Sequence, residues 1–204
     1  MGRSRLKPVS GPRVLTPELK QGLRIEFPGG YLRPLAPPDV YPAYVDGLND
    51  PDVNRFLVHV RKVRQTTDMV TQYVEQNLHA ADAVLFGIWM NGEDDHCGTV
   101  RLHDLDPGHA PAHIGICIFE RRKWGAGVGA SAIRAVSTWA CRFLGLTAIE
   151  AGVYADNLGS QRAFLSAGYV WRNNVADPFE PGDSTATVRV YEFPGPADAP
   201  PESS

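Results

Sequence analysis

Cysteine is scarce, three residues in 204, and Cys97, Cys117 and Cys141 show no C-x-x-C spacing. That excludes a disulfide framework and a cysteine zinc site, and it points to a reducing compartment. Positive charge is not in excess: 20 Lys and Arg against 23 Asp and Glu give a net charge of −3. A nucleic-acid partner is therefore disfavoured. No run of about eighteen apolar residues occurs, so neither a membrane-spanning helix nor a membrane partner is expected. The basic N-terminus lacks an apolar core, which disfavours a secretory signal and makes a cytoplasmic location the expectation. Two phosphate-binding patterns are also missing. No Lys-Ser or Lys-Thr follows the glycines of residues 125–129, and their G-x-G-x-G spacing is not G-x-G-x-x-G.

What the chain does have is Arg121-Arg122-Lys123-Trp124-Gly125-Ala126-Gly127-Val128-Gly129-Ala130. The apolar run His113–Phe119 leads into it and reads as a buried strand. A helical pattern from Val128 to about Leu144 leads out. The glycines permit a tight strand-to-helix turn and close approach to main-chain N–H groups. Helix N-terminal N–H groups and three basic side chains then converge on one point, which suits a phosphate or pyrophosphate.

Arg122-x-x-Gly125-x-Gly127 resembles the acetyl-CoA pyrophosphate loop, Q/R-x-x-G-x-G/A, of the GNAT N-acetyltransferase superfamily. Ile114-Gly115-Ile116 followed by Trp124-Gly125-x-Gly127 resembles the branch of amino-sugar and ribosomal-protein N-terminal acetyltransferases. A second stretch, Asn157 to Tyr169, is similar to the superfamily's N-x-x-[A/S]-x-x-x-Y-x-x-x-G-[F/Y] segment. Asn157, Ser160, Gly168 and Tyr169 match it, and Phe164 stands where tyrosine is usual. The resemblance spans about residues 30 to 193. It implies an α/β (α+β) fold with a mixed sheet of six to seven strands. Most would be antiparallel, with one parallel pair splayed around the pantetheine arm and about four helices flanking the sheet.

The coarse pattern is compatible with that fold. Residues 1–22 read as a flexible leader, perceptibly Pro- and Gly-rich, with a short helix near Pro17–Gln21. Residues 23–193 read as a single domain, and 194–204 as a disordered Pro-, Ala- and Ser-rich tail. Strands are expected near 23–27, 31–35, 83–90, 97–105, 113–119, 148–154, 170–172 and 187–193. Helices are expected near 38–48, 53–57 and 67–78, the last with Met69, Val70, Tyr73, Val74 and Leu78 inward. The long helix from Val128 ends at Gly145, and a short one follows Asn157.

Acetyl transfer needs a held donor, a neutral amine, a stabilised oxyanion and a protonated leaving thiolate. The resemblance places acetyl-CoA, as co-substrate and without a metal, on Ile118, Phe119, Arg122, Lys123, Trp124, Gly125, Ala126, Gly127, Val128, Gly129, Asn157, Ser160 and Phe164. Asn157 also reads as a helix N-cap, and Ser160 as a first-turn surface residue. A main-chain N–H near Ile116–Phe119 is the expected oxyanion donor. His113 occupies the position where the branch often has Glu, and alternation places it on one face with Gly115 and Cys117. It is a candidate general base or a strand-start structural residue. His103 and Asp104 on the adjacent strand are runners-up. Phe164 cannot donate a proton, which leaves Ser160, tyrosines or water for the thiolate. Asn54, Arg55, His59 and His103 are expected to meet the acceptor, or else to form a solvated face. The acceptor expected is a small primary amine, first an amino sugar or nucleotide-linked amino sugar. Peptide N-termini, antibiotic amines and a non-catalytic acyl-CoA-binding role are the alternatives, and a homodimer is implied by resemblance.

Overall fold

The apolar strand patterns assemble into one mixed sheet in a computed structural model that describes residues 15–105, 111–176 and 187–195. Its strands are β1 (Ile25–Phe27), β2 (Gly30–Pro34), β3 (Ala83–Met90), β4 (His96–His103), β5 (Ala112–Ile118), β6 (Ile149–Tyr154), β7 (Val170–Ala176) and β8 (Thr187–Phe193). They lie in the order β1-β2-β3-β4-β5-β6-β8-β7. Eight strands stand where the resemblance implies six to seven, and all eight lie where the residue pattern places strands, β1 only three residues long and β7 reaching beyond its expected end to Ala176.

The helices are α1 (Pro17–Gln21), α2 (Pro42–Asn49), α3 (Pro51–Asn54), α4 (Val58–Arg61), α5 (Thr67–His79), α6 (Val128–Trp139) and α7 (Leu158–Ser166). The three beyond the four that the resemblance implies are short, α1 where a short helix is expected and α3 and α4 flanking the stretch expected at 53–57. In α5 the buried residues are Val70, Val74 and Asn77, whereas Met69 and Tyr73, expected inward, are exposed. Asn77 turns inward because its amide is used there. Its Oδ1 accepts from Arg101 Nε at 2.8 Å and its Nδ2 donates to the Tyr73 carbonyl at 2.8 Å.

Each face of the sheet carries a core. On one side Ala132, Ile133 and Val136 of α6 pack on Phe86, Val100 and Ile114. On the other, Tyr44, Leu48, Val70 and Val74 of α2 and α5 pack on Leu85 and Trp89. β3 is buried on both faces for this reason. His96 sits in the second core, 2% exposed, with its ring 4.8–5.2 Å from those of Tyr41, Tyr44, Trp89 and Phe119. Its Nε2 finds no hydrogen-bond partner among the described residues. Burial pushes its proton affinity down, to a pKa of about 4, against the opposing pull of Asp39.

Part of the expected leader is packed structure. Leu15 is buried, and Lys20 of α1 is 0% exposed. Lys20 Nζ donates to the carbonyls of Asn77, Leu78, Ala80 and Ala83 at 2.8, 3.1, 2.5 and 2.7 Å. Its three N–H bonds are shared among these oxygens, three at the C-terminal end of α5 and one, Ala83, at the start of β3. The rest of the leader and most of the expected tail lie outside the described residues.

The feature that positions the site is the pairing of β5 with β6, the single parallel pair among the described strands. It consists of Ala112↔Ile149 and His113↔Glu150 alone. β4 follows β5 to Ile118, and β8 follows β6 to Tyr154. Beyond His113, therefore, β5 and β6 diverge into a V-shaped gap. N–H groups of β5 that point into it have no facing strand.

Candidate active site

The gap opens on the glycine turn. Leaving β5, the chain makes one tight turn over Arg121–Lys123 and then passes through Gly125 and Gly127 at φ +74° and +79°. These are left-handed conformations that glycine adopts without strain. Gly127 caps α6, and the first intrahelical bond runs from Ser131 N–H to the Gly127 carbonyl at 3.0 Å. The N–H groups before Ser131 are left for a ligand, at the positive end of a twelve-residue helix. Trp124 pins the loop by donating Nε1–H to the Ile118 carbonyl at 2.8 Å.

The turn and the gap form a continuous cleft of about 890 Å³. One wall is Ile116–Ile118 of β5, the second is the start of α6, and the third is Asn157–Ser160 with Ala163 of α7. Asp52, Val53, Arg55, Phe56 and Leu57 close the fourth side. Asn157 Oδ1 accepts from Ser160 N–H at 3.1 Å, so Asn157 caps α7 while its amide nitrogen remains available. Arg55 Nη2 reaches Asp156 Oδ2 across the cleft at 3.5 Å, and Phe56 stacks on Tyr154 with centroids 6.1 Å apart.

Of the residues assigned to the cofactor, Ile118, Lys123, Trp124, Gly125, Gly127, Val128, Gly129, Asn157 and Ser160 line this cleft. Three other residues assigned to the cofactor are not in the lining. Phe164 is 2% exposed and turned into the core against Tyr169 and Tyr191, with Ala163 facing the cleft instead. Phe119 is 6% exposed and lies under Tyr44 and His96. Arg122 is largely exposed and pairs with Glu120. Ala126 is not part of the lining either, although it sits between two glycines that are.

Among the acceptor residues Arg55 lines the cleft, whereas Asn54, His59 and His103 do not. Asn54 is used structurally, its Nδ2 donating to the Leu48 carbonyl at 3.0 Å. Sequence reasoning missed Cys117, Asp156 and Arg162 in the lining. The alternation that groups Cys117 with His113 is the signal that reaches the first of these. Burial raises the Cys117 thiol to about 12, so it stays protonated near neutrality.

His113 and Asp104 also lie outside the cleft lining, at the closed end of the V. Cys117 lies four strand steps beyond His113, roughly 13 Å. Between them on the same face is Gly115, where an added Cβ would meet nothing within 4 Å. Asp104, at φ +58°, places Oδ2 2.9 Å from His113 Nδ1 and 2.9 Å from His103 Nδ1. Burial and the nearby Arg101 charge lower the proton affinity of His103, against the pull of Asp104. Burial tends to raise the Asp104 carboxyl, but the two imidazoles outweigh it and hold it below the usual range.

A splayed parallel pair whose mouth opens on a glycine turn at a helix N-terminus has room and N–H donors for an extended, phosphate-bearing ligand. The sequence profile of the acetyltransferase (GNAT) domain matches residues 31–170, and the chain belongs to that family. A probable N-acetyltransferase of Bacillus subtilis, YjcK, is 36% identical over 111 residues, which are 52% of this chain and 60% of that protein. The match thus spans less than two thirds of that relative. Among solved structures, RimL, a ribosomal-protein alpha-N-acetyltransferase in complex with coenzyme A, aligns with TM-score 0.71 at 15% identity. The alignment covers 86% of this chain and 100% of RimL. A spermidine N-acetyltransferase from Vibrio cholerae, in complex with coenzyme A and spermine, aligns with TM-score 0.69 at 16% identity, covering 81% of this chain and 95% of that one. At these identities the two structures establish a shared fold.

Proposed function

We propose that this protein transfers an acetyl group from acetyl-CoA to a primary amine of a small molecule, by direct attack within a ternary complex. The observation that carries the reading is the V-shaped gap between β5 and β6, continuous with the glycine cradle. A pyrophosphate on the N–H groups of residues 123–129 directs the pantetheine arm into the gap, past Asn157 and Ser160. An unpaired β5 N–H near Ile116–Ile118 then receives the developing oxyanion. Ser160, in the cleft lining on the first turn of α7, is assigned as proton donor to the departing thiolate. Cys117 is the cysteine in the lining, and its raised pKa speaks against an acyl-enzyme step.

The amine approaches along the open lane over Gly115, and the His113–Asp104 pair accepts its proton, through water, at the head of that lane. Asp104 fixes the His113 ring through Nδ1 and leaves Nε2 for the proton. An amino sugar or nucleotide-linked amino sugar is the first acceptor to test. Polyamines and peptide N-termini follow, because neighbours of the same fold are named for those substrates. A non-catalytic acyl-CoA-binding role loses its main support, since Phe164 points into the core and its missing hydroxyl takes nothing from the cleft. A homodimer through the exposed edge strand β7 remains a proposal.

The test is acetyl-CoA turnover, read as free thiol, across amino sugars, nucleotide amino sugars, polyamines, aminoglycosides and peptides. Turnover confined to one amine class names the acceptor. Tight coenzyme A binding with no turnover on any amine overturns the catalytic reading.

A further inference from the structure

His103 ends β4, and His113 lies directly opposite it in the β4–β5 register. Cross-strand neighbours have Cβ atoms about 4.5–5.5 Å apart, so the backbone pairing itself brings these side chains together. Their rings lie 5.6 Å apart and only 25° from parallel. Asp104, the next residue after β4, is the one described non-glycine residue at positive φ, +58°. That turn returns its carboxylate over the two rings. Both Nδ1 atoms face the same oxygen, Oδ2, at 2.9 Å. One ligand atom from each of the three residues lies within 4.8 Å of the others.

We propose that His103, Asp104 and His113 form a binding site for a divalent transition-metal ion of the Zn²⁺ class, with both imidazoles bound through Nδ1. An ion about 2.0–2.2 Å from its ligands, in tetrahedral or octahedral geometry, holds neighbouring ligand atoms about 3.0–3.5 Å apart. The 2.9 Å spacings are a few tenths of an ångström from that range. Two neutral imidazoles and one carboxylate suit Zn²⁺, Co²⁺ or Ni²⁺ and are a poor set for Mg²⁺ or Ca²⁺, which prefer oxygen. Binding requires that both rings move the hydrogen from Nδ1 to Nε2, which takes away the nitrogen that His113 offers as a base, so the ion-loaded protein and the base role proposed above exclude one another. The ion then takes the place of two hydrogen bonds to Asp104. The side chains are 30%, 53% and 42% exposed, so solvent reaches the site and water can complete the coordination shell. The site lies outside the cleft lining, so coenzyme need not displace the ion.

The alternative is an ion-free hydrogen-bonded triad, and direct binding separates the two. Chelator-treated full-length protein is titrated with Co²⁺, followed by visible absorption, and with Zn²⁺ by calorimetry. The expected result is one ion per chain with Kd in the micromolar range or tighter, with Zn²⁺ displacing the Co²⁺ spectrum. His103→Asn, Asp104→Asn and His113→Asn should each weaken binding at least tenfold, whereas His79→Asn on the exposed end of α5 should not. Thermal midpoints measured without metal confirm that the variants fold. No Co²⁺ or Zn²⁺ binding below about 100 μM, or binding that survives all three substitutions, overturns the proposal. The readout is binding, and acetyl transfer is measured on the chelator-treated protein, so a metal-free protein that turns over no amine yet binds zinc would refute the acetyl-transfer reading and leave this site intact.

Discussion

Arg55 and Asp156 meet across the mouth of the cleft, 3.5 Å apart and each more than half exposed. Exposed pairs of this kind contribute little to stability, roughly 0.2–1 kcal/mol. Their position matters more, because Arg55 belongs to the segment facing α7 and Asp156 immediately precedes Asn157. Arg55→Ala should leave the thermal midpoint within about 2 °C of wild type. It should raise KM for the acceptor severalfold with kcat largely retained. Steady-state kinetics beside a melting curve check both halves, and a large fall in midpoint would show that the pair holds the fold instead.

Asn157 has a structural and a proposed functional task that substitution can separate. Asn157→Ala removes both the α7 cap and the amide, and should cost about 1 kcal/mol of stability. Asn157→Ser keeps a capping oxygen and should restore most of that loss. Both variants should raise KM for acetyl-CoA alike if the amide nitrogen binds the pantetheine arm. Urea midpoints and acetyl-CoA kinetics on the pair decide it. Full recovery of KM in the serine variant would reduce Asn157 to a cap.

Gly127→Ala tests the cradle. An added Cβ meets nothing within 4 Å, so there is no clash, but φ is +79°. A left-handed alanine costs about 1–2 kcal/mol. That corresponds to a midpoint drop of roughly 2–8 °C for a chain of this size. Coenzyme A affinity should fall at least tenfold, because the methyl group stands where phosphate oxygens approach the N–H groups. Calorimetry with coenzyme A checks this, and unchanged affinity would remove the cradle from the site.

His96 makes stability depend on acid. Its folded pKa is about 4, below the ordinary value of 6.5. Between these limits the unfolded chain binds a proton that the folded chain refuses. Stability therefore rises with pH through that window and is lost as pH falls from about 6.5 toward about 4, by up to about 1 kcal/mol per pH unit. His96→Phe, which suits the surrounding aromatic rings, should flatten this dependence while leaving stability at pH 7 unchanged or higher. Urea unfolding at pH 7.0 and 5.0 reads the difference, and equal slopes in variant and wild type would sink the assignment.

The sequence carried most of this fold. Apolar runs located the strands, and the glycines with the following helix located the cradle before any coordinates. The divergence of β5 and β6 came from resemblance alone, because it depends on where ladder hydrogen bonds stop, and side-chain pattern does not encode that. Phe164 and Phe119 show a second limit. Motif alignment gives their position along the chain, but packing decides whether an aromatic ring faces cleft or core. Asn54 shows a third, since a polar residue near a site can be spent on a backbone carbonyl. The His103–His113 pairing needed strand register, which a one-residue uncertainty at either strand end would have hidden.

Lys20 changes how this chain should be handled. Its ammonium group is the fastening that four backbone oxygens depend on. A shortened version starting at the first strand, with the basic N-terminal stretch trimmed for expression, would leave those oxygens without their donor and uncover the end of the longest helix on that face. The packed unit therefore includes Leu15 and Lys20, which lie inside a stretch that composition marks as dispensable.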